Sequence, residues 1–368
     1  MKVLFINAVC GTGSTGKICA ELAETFENEG HEVKIAYGRQ GYVPEKFQKY
    51  AVRIGNDIDV KVHALYTRLT DRHGLASKCA TKKFLEWAES YSPDLLWLHN
   101  IHGYYINYEM LFTWIKSRPQ MKVKWTLHDC WTFTGHCTHF SVAECYKWKT
   151  QCDSCPEKKR YPASGFIDNS YNNYLRKKAA FCGVKDMVII TPSQWLANLV
   201  KKSFLKEYPI EVMYNTINED IFKPTESDFR EKYNLGDKKI ILGVANVWDA
   251  RKGYHDFEKL AELLDDSYTI VLVGLNEKQL EQLPKGILGI KRTNGQKELA
   301  GIYTTADIHV VASREETFGM TILEAYACGT KAIVYKGTAC EEVANQYGGI
   351  VVEQSYMNIY HAILDYFK

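Results

Sequence analysis

The 368-residue chain carries no excess charge of either sign. Its 46 Lys and Arg face 44 Asp and Glu, a formal net charge of +2. Bulk charge therefore draws no polyanion, and nucleic-acid binding gets no support. Long hydrophobic runs are also missing: nothing approaches the roughly 20 apolar residues that span a bilayer. Met1-Lys2-Val3-Leu4-Phe5-Ile6 has a lysine and a short apolar run, but no signal-peptide core or cleavage site follows. It is expected to be the first strand of a parallel sheet. Eleven cysteines without such a signal predict reduced thiols or a metal site in the cytoplasm. The 46% hydrophobic and 24% charged residues suit a soluble globular chain, long enough for two domains of ordinary size.

The most informative stretch is Ser313 to Thr330. It follows the apolar run Ile308–Ala312, expected to be a buried parallel strand, and precedes a second run, Ala332–Tyr335. Thr321 to Cys328 has helical residue types, with Gly329 as a natural stop. The free N–H groups of Gly319, Met320 and Thr321 would then form an anion site at the helix start. Helical side chains lean toward the N-terminus, so Glu316 and Glu324 converge on whatever those amides hold. Carboxylates repel phosphate, so they are expected to bond hydroxyls elsewhere on the same ligand. A nucleotide-sugar has all three parts: ribose, diphosphate and hexose.

At the other end, a strand to Ala8, a glycine-rich turn, a helix from Ile18 to Asn28 and a strand at Val33–Tyr37 form a dinucleotide-type start. The turn contains Gly11-x-Gly13-x-x-Gly16, which fits a nicotinamide or flavin cofactor, or a turn needed only for packing. The acid expected at the end of the second strand is replaced by Gly38-Arg39. Leu95–His99 and Met121–Asp129 are two more buried strands. Ligands of open α/β sheets sit beyond the carboxyl ends of strands, which puts His99, His102, His128 and Asp129 where a site belongs.

Cys137-x7-Cys145-x6-Cys152-x2-Cys155-Pro156 is the second unusual constellation. Cys-x2-Cys is the usual knuckle for two of four tetrahedral zinc ligands, but the other two cysteines are loosely spaced. A structural zinc on Cys137, Cys145, Cys152 and Cys155 is the leading expectation. Free thiols and disulfides remain the alternatives, and His136 and His139 are substitute ligands.

Glu316-x7-Glu324 followed by Ala327-Cys328-Gly329-Thr330 resembles the signature of group-1 (family 4) retaining glycosyltransferases. Trp125-Thr126-Leu127-His128-Asp129-x-Trp131, with the cysteine run, is similar to the colanic acid branch of that family, concerned with exopolysaccharide, capsule or O-antigen assembly. The resemblance implies an α/β fold of two Rossmann-like domains facing a central cleft (GT-B). The expected parts are an acceptor-side domain at 1–220 with a Cys-rich insertion near 130–156, a nucleotide-sugar domain at 221–352, and a helix at 353–368 returning to the first domain. It implies that Glu316 contacts the donor sugar, Glu324 the ribose, and that His128 lies near the sugar. Gly13 belongs to a loop near the diphosphate. Lys252 clamps the leaving diphosphate, while the family's Arg position holds Val247 and Arg251 is the candidate replacement. Arg292 and Thr293 fall beside the base, and Phe318 to Thr321 around the diphosphate. His99, His102 and Asp129 fall on the acceptor side.

No Asp-x-Asp is taken as a metal motif, so catalysis is expected to need no cofactor. The donor is expected to be a UDP- or GDP-sugar. The acceptor is expected to be a glycan or a polyprenyl-diphosphate-linked glycan, with peripheral contact at the inner membrane. A nucleotide-sugar epimerase of the same fold would need no acceptor. A non-catalytic zinc-bearing adaptor would turn over no donor.

Overall fold

The computed structural model describes residues 1–39 and 41–368. They form two compact units, one of residues 1–192 and 196–213, the other of 193–195 and 214–368.

In the first unit the strands are β1 Lys2–Ile6, β2 Glu32–Tyr37, β3 Ala51–Arg53, β4 Leu95–Leu98, β5 Lys122–Thr126, β6 Met187–Thr191 and β7 Ile210–Val212. They make one parallel sheet in the order β3-β2-β1-β4-β5-β6-β7. The helices are α1 Gly13–Asn28, α2 Asp57–Thr70, α3 Lys78–Tyr91, α4 Tyr108–Lys116 and α5 Ser170–Phe181, followed by α6 Gln194–Val200. β1 is buried from Val3 to Ile6, because helices cover both faces of a parallel sheet. Phe5, Trp97, Ile35, Cys19 and Ala20 share one core. The Cys-rich segment has little regular structure and is held by aromatic packing instead, Trp148 lying 4.8 Å from Phe140 and 5.2 Å from Phe133.

In the second unit the helices are α7 Phe229–Lys232, α8 Tyr254–Leu263, α9 Glu277–Glu281, α10 Gln296–Thr305, α11 Met320–Ala327, α12 Ala339–Gln346 and α13 Tyr356–Tyr366. The strands are β8 Lys239–Val244, β9 Tyr268–Val273, β10 Ile287–Ile290, β11 Ile308–Val311, β12 Ala332–Tyr335 and β13 Ile350–Val352. The second sheet is also parallel, in the order β10-β9-β8-β11-β12-β13. Strand order reverses between β1 and β4 in one sheet and between β8 and β11 in the other. Such switch points open a crevice beyond the strands' carboxyl ends.

Three expectations change. The helix after the glycine-rich turn starts at Gly13, so Gly13 and Gly16 lie within its first turns rather than before it. The units change after Met213 rather than at 220, since Phe222 already belongs to the second core. The last helix, α13, was expected on the first domain. Its Ile359 and Ile363 are instead buried in the second unit's core beside Phe257 and Leu260 of α8.

Candidate functional site

At the β8/β11 switch point two loops meet. After β8 the chain makes a short turn, Ala250–Lys252, capped by Asp249, whose carboxylate accepts from the amides of Arg251 (2.9 Å) and Lys252 (3.1 Å). Gly253 follows at φ +72°, and a Cβ there would lie 2.3 Å from the Ala312 carbonyl oxygen. Only glycine lets the two loops approach this closely. The Arg314 amide then donates to the Arg251 carbonyl at 2.8 Å. The Arg314 guanidinium forms a fork with buried Asp256 (2.6 and 2.9 Å), fastening the second loop to α8.

These braces bring Lys252 Nζ into a hydrogen-bonded ion pair with Glu316 Oε2. Burial pushes the Lys252 pKa down, but the Glu316 carboxylate outweighs it and leaves it raised, so the ammonium persists. Beyond Glu316 the chain turns through Gly319 (φ +102°) into α11, and glycine at this position brings no side chain to cap the helix. A Cβ on Gly319 would lie 2.9 Å from Ile322 Cδ1 and 3.2 Å from Cys340 Sγ. Glu324, just over one turn on, accepts a hydrogen bond from Tyr303 of α10 (2.9 Å). Thr330 donates to the Tyr303 carbonyl at 2.6 Å, tying the end of the Ala-Cys-Gly-Thr run to the residue that orients Glu324. A glycine-started helix, two carboxylates and an ammonium are the groups needed to hold an anion beside hydroxyls.

Other expected residues stand differently. Val247 is 65% exposed and supplies no charge. Arg251 Nε is 3.2 Å from Asp249 Oδ2, so its charge already has a carboxylate partner. Arg292 and Thr293 follow β10 at the same end of the sheet, Arg292 exposed and Thr293 half-buried. The Phe318 side chain turns inward to Ile322, Leu323 and Val334, so it packs the core rather than offering a ligand face. Met320 and Thr321 are half-buried in the first turn of α11. Tyr303, Asp256 and Arg314 were missed, because nothing in their local pattern marks them as braces.

In the first unit, Asn7 after β1 donates to the Val9 carbonyl (2.8 Å) and accepts from the Asn100 amide (3.2 Å), joining the loops beyond β1 and β4. The three glycines of the opening turn divide their work. A Cβ on Gly11 would lie 2.3 Å from Phe47 and one on Gly16 2.9 Å from Val9, whereas Gly13 has open space around it. His99 Nδ1 lies 2.9 Å from His128 Nε2, the rings stacked 5.2 Å apart. Burial holds the His128 pKa down at about 4 and that of His99 well below normal, so both rings are neutral. His102 Nε2 is 2.9 Å from Asp129 Oδ2, and its Nδ1 is 3.2 Å from the Tyr161 hydroxyl. Burial raises the Asp129 pKa, but His102 overrides that and brings it to about 2. His73, which sequence reasoning passed over, packs 4.8 Å from Tyr104 and 5.4 Å from Trp131 in the same cluster. Asp57-Ile58-Asp59, an Asp-x-Asp by spelling, opens α2, with Asp59 in its capping box and Asp57 paired with Arg53.

All eleven cysteines are free thiols. The Cys137 and Cys155 thiols hydrogen-bond each other, which lowers Cys155 to about 7 and raises Cys137. Cys152 Sγ accepts from the Gly135 amide at 3.2 Å. Among the described residues, no three His, Cys, Asp or Glu groups are arranged to hold a metal ion. As they stand the four cysteines form a hydrogen-bonded pair with neighbours rather than a tetrahedron.

Two parallel sheets, each with a switch point, define an α/β protein of two Rossmann-like units, one of which holds paired acids and a lysine beside its switch point. The chain belongs to the family described as Glycosyltransferase Family 4, which matches residues 15–221; Glycosyl transferases group 1 matches residues 225–367. It is similar to the putative colanic acid biosynthesis glycosyl transferase WcaC of Escherichia coli (strain K12), 23% identical over 71% of this chain and 64% of that protein. It is also similar to the N,N'-diacetylbacillosaminyl-diphospho-undecaprenol alpha-1,3-N-acetylgalactosaminyltransferase of Campylobacter jejuni, 30% identical over 42% of this chain and 44% of that protein. The matches thus span about half to two-thirds of these relatives' length. Among solved structures, sucrose-phosphate synthase from Thermosynechococcus elongatus has the same GT-B fold, with a TM-score of 0.70 at 16% identity, covering 100% of this chain and 89% of that one. So does Anabaena Alr3699/HepE in complex with UDP and glucose, with a TM-score of 0.65 at 15% identity, covering 100% and 90%.

Proposed function

We propose that the protein transfers a sugar from a nucleotide-diphosphate donor to a hydroxyl of a glycan or lipid-linked acceptor, with retention of anomeric configuration and without a catalytic metal. The observation that carries this is the Lys252–Glu316 pair at the β8/β11 switch point, beside the start of α11. Lys252 and the amides of α11 would take up the charge that develops on the diphosphate as the C1–O bond breaks. Glu316 would hold the sugar hydroxyls, and Glu324, oriented by Tyr303, the ribose. The acceptor oxygen bonds C1 on the face the phosphate leaves, and its proton passes to the departing phosphate oxygen. His128 is proposed to act at the transferred sugar, and His102, Asp129 and His99 on the acceptor side.

HepE was solved with UDP and glucose, which makes UDP-glucose the first donor to test. The name of WcaC supports a role in colanic-acid-type biosynthesis, and that of the Campylobacter enzyme supports a diphospho-undecaprenol-linked acceptor. A thermal-shift and donor-hydrolysis panel of UDP- and GDP-sugars tests the proposal. Stabilisation by a nucleotide-sugar, together with sugar release that Glu316→Gln sharply lowers, supports it; no response to any nucleotide-sugar refutes it. Recovery of an epimerised donor without transfer would favour the epimerase instead. A structural zinc at Cys137, Cys145, Cys152 and Cys155 rests on sequence spacing. Metal analysis of purified protein with well under one zinc per chain rejects it.

A further inference from the structure

The loops beyond the first sheet hold a cation that no acid answers. Gly38 follows β2 and packs on Tyr105, where a Cβ would lie 2.2 Å from the tyrosine Cβ. The next amide, that of Arg39, donates to the Ala8 carbonyl (2.9 Å). The Arg39 stem runs past Gly103, beyond β4, whose Cβ position is 3.6 Å from Arg39 Cδ. The backbone thereby fixes this arginine beside the β1/β4 switch point. Arg39 is exposed, and its guanidinium lies 5.8 Å from the Tyr104 ring and 5.9 Å from the Tyr161 ring. Among the described residues it has no carboxylate partner. Asp129, whose charge also reaches Tyr161, already faces His102 Nε2 (2.9 Å). Arg68, exposed near the end of α2 and likewise without an acid partner among the described residues, acts on the same place. Burial raises the Tyr104 pKa, and Arg39 and Arg68 both pull against that rise.

The two tyrosines come from different segments, and each is held. Tyr104 adopts φ +70°, a left-handed conformation costly for a residue other than glycine, and its ring packs 4.8 Å from His73. Tyr161 comes from the long segment between β5 and α5, which Asp71 fastens through His136 and the Asn169 amide (2.7 Å). Its ring meets that of Tyr104 edge-on at 5.8 Å. Asp129 favours the His102 proton on Nε2, so Nδ1 accepts from the Tyr161 hydroxyl (3.2 Å). The Tyr161 oxygen keeps lone pairs for a ligand hydroxyl, and the Tyr104 hydroxyl has no hydrogen-bond partner among the described residues. Aromatic rings and hydroxyls suit a sugar, and guanidinium groups without a carboxylate suit an anion.

We propose that Arg39, Arg68, Tyr104 and Tyr161 form an acceptor subsite that selects a sugar bearing its own negative charge, a carboxylate or a phosphate. The subsite rests on the transfer reaction proposed above. It gives the segment between β5 and α5 a task, which is to supply Tyr161.

The test is a ligand-observed NMR titration of the full chain with methyl β-glucuronide, glucose 6-phosphate and methyl β-glucoside. Wild type is expected to bind a charged sugar about tenfold or more tightly than the neutral one. Whichever charged sugar leads tells carboxylate from phosphate. High salt should narrow the gap. Arg39→Gln should cut the preference to about twofold or less, and Arg68→Gln should cut it in part. Tyr161→Phe should weaken charged and neutral sugars alike, about threefold. Both arginine variants should melt with the wild type, since the two side chains are exposed. Equal binding of charged and neutral sugars, no binding, or a preference that survives Arg39→Gln overturns the proposal. A wild-type chain that selects the charged sugar but is stabilised by no nucleotide-sugar would keep the charged-sugar site and sink the transfer reaction. Stabilisation by a nucleotide-sugar without that selection would do the reverse.

Discussion

Replacing Glu316 with Gln should have two opposite effects, and their opposition is diagnostic. In the structure Glu316 is the counterion of Lys252, the cation assigned to the diphosphate. Both side chains are only about a quarter exposed (26% and 23%), so solvent does not fully screen the pair. A diphosphate bound to Lys252 would carry its charge roughly 6 Å from the Glu316 carboxylate. At an effective dielectric of about 40, that repulsion is on the order of 1.4 kcal/mol. Glu316→Gln removes it and leaves Lys252 without its carboxylate partner, so UDP should bind about tenfold more tightly. The same substitution weakens charge-assisted hydrogen bonds to the sugar, each about 1.5–3 kcal/mol, and turnover should fall roughly 10- to 150-fold. Titration calorimetry with UDP, alongside donor turnover under saturation, reads both effects. Lys252→Met is the control and should weaken UDP. Unchanged or weaker UDP binding by Glu316→Gln, with turnover preserved, would refute the assignment of the pair.

Tyr303→Phe deletes the hydroxyl that orients Glu324, and donor KM should rise about fivefold with kcat little changed. An equal fall in kcat would show that Tyr303 acts beyond ribose binding. Gly253→Ala puts a Cβ against the Ala312 carbonyl at a positive φ and should cost about 2–4 kcal/mol in chemical denaturation. Wild-type stability in that variant would mean the loops do not need this approach. Stability should fall as pH drops from about 6.5 toward 4, because His128 is held near 4 in the folded chain and takes up its proton more readily when unfolded. His128→Gln should flatten the slope in that window, as measured by urea titration at stepped pH. Cys155, lowered to about 7 beside Cys137, should react with iodoacetamide faster at pH 8 than Cys152, which is raised to about 12. Mass mapping of the alkylated residues checks the order.

The parts of this molecule legible in its residues were those with local pattern. The strands at Ile308–Val311 and Leu95–Leu98 could be read because parallel strands buried on both faces are continuously apolar. The run from Glu316 to Thr330 could be read because turn, helix start and stop follow each other within one segment. The braces could not. Asp256 and Arg314 are 58 residues apart, and Tyr303 and Glu324 are 21 apart, so only the packed sheet order makes them neighbours. The family's missing cation is a related case. Arg251 was offered for Val247, but Asp249 serves both as the cap of the turn and as partner of that arginine, a double role that residue types alone do not reveal.

On the proposed function, the pattern of charge at the β8/β11 switch point also accounts for how a chain with almost no net charge would handle a diphosphate. Lys252 is matched by Glu316, Arg251 by Asp249, and Arg314 by Asp256, so each cation near the two loops has a carboxylate partner before any ligand arrives. The three pairs are not equivalent. Asp256 is buried and grips Arg314 with two bonds, so separating that pair would leave a buried carboxylate unsatisfied, and Asp249 is fixed beside Arg251 because its other oxygen caps the turn that carries the arginine. Glu316 carries no such second duty for its side chain among the described hydrogen bonds, and Lys252 is held by that one contact. An incoming diphosphate that competes for a cation would therefore open the Lys252–Glu316 pair first. On the proposed function, that would release the carboxylate toward the sugar as the ammonium turns to the phosphate. The lysine and the acid are thus selected as the responsive pair by what holds the other two pairs in place, and the Glu316→Gln titration measures that selection directly.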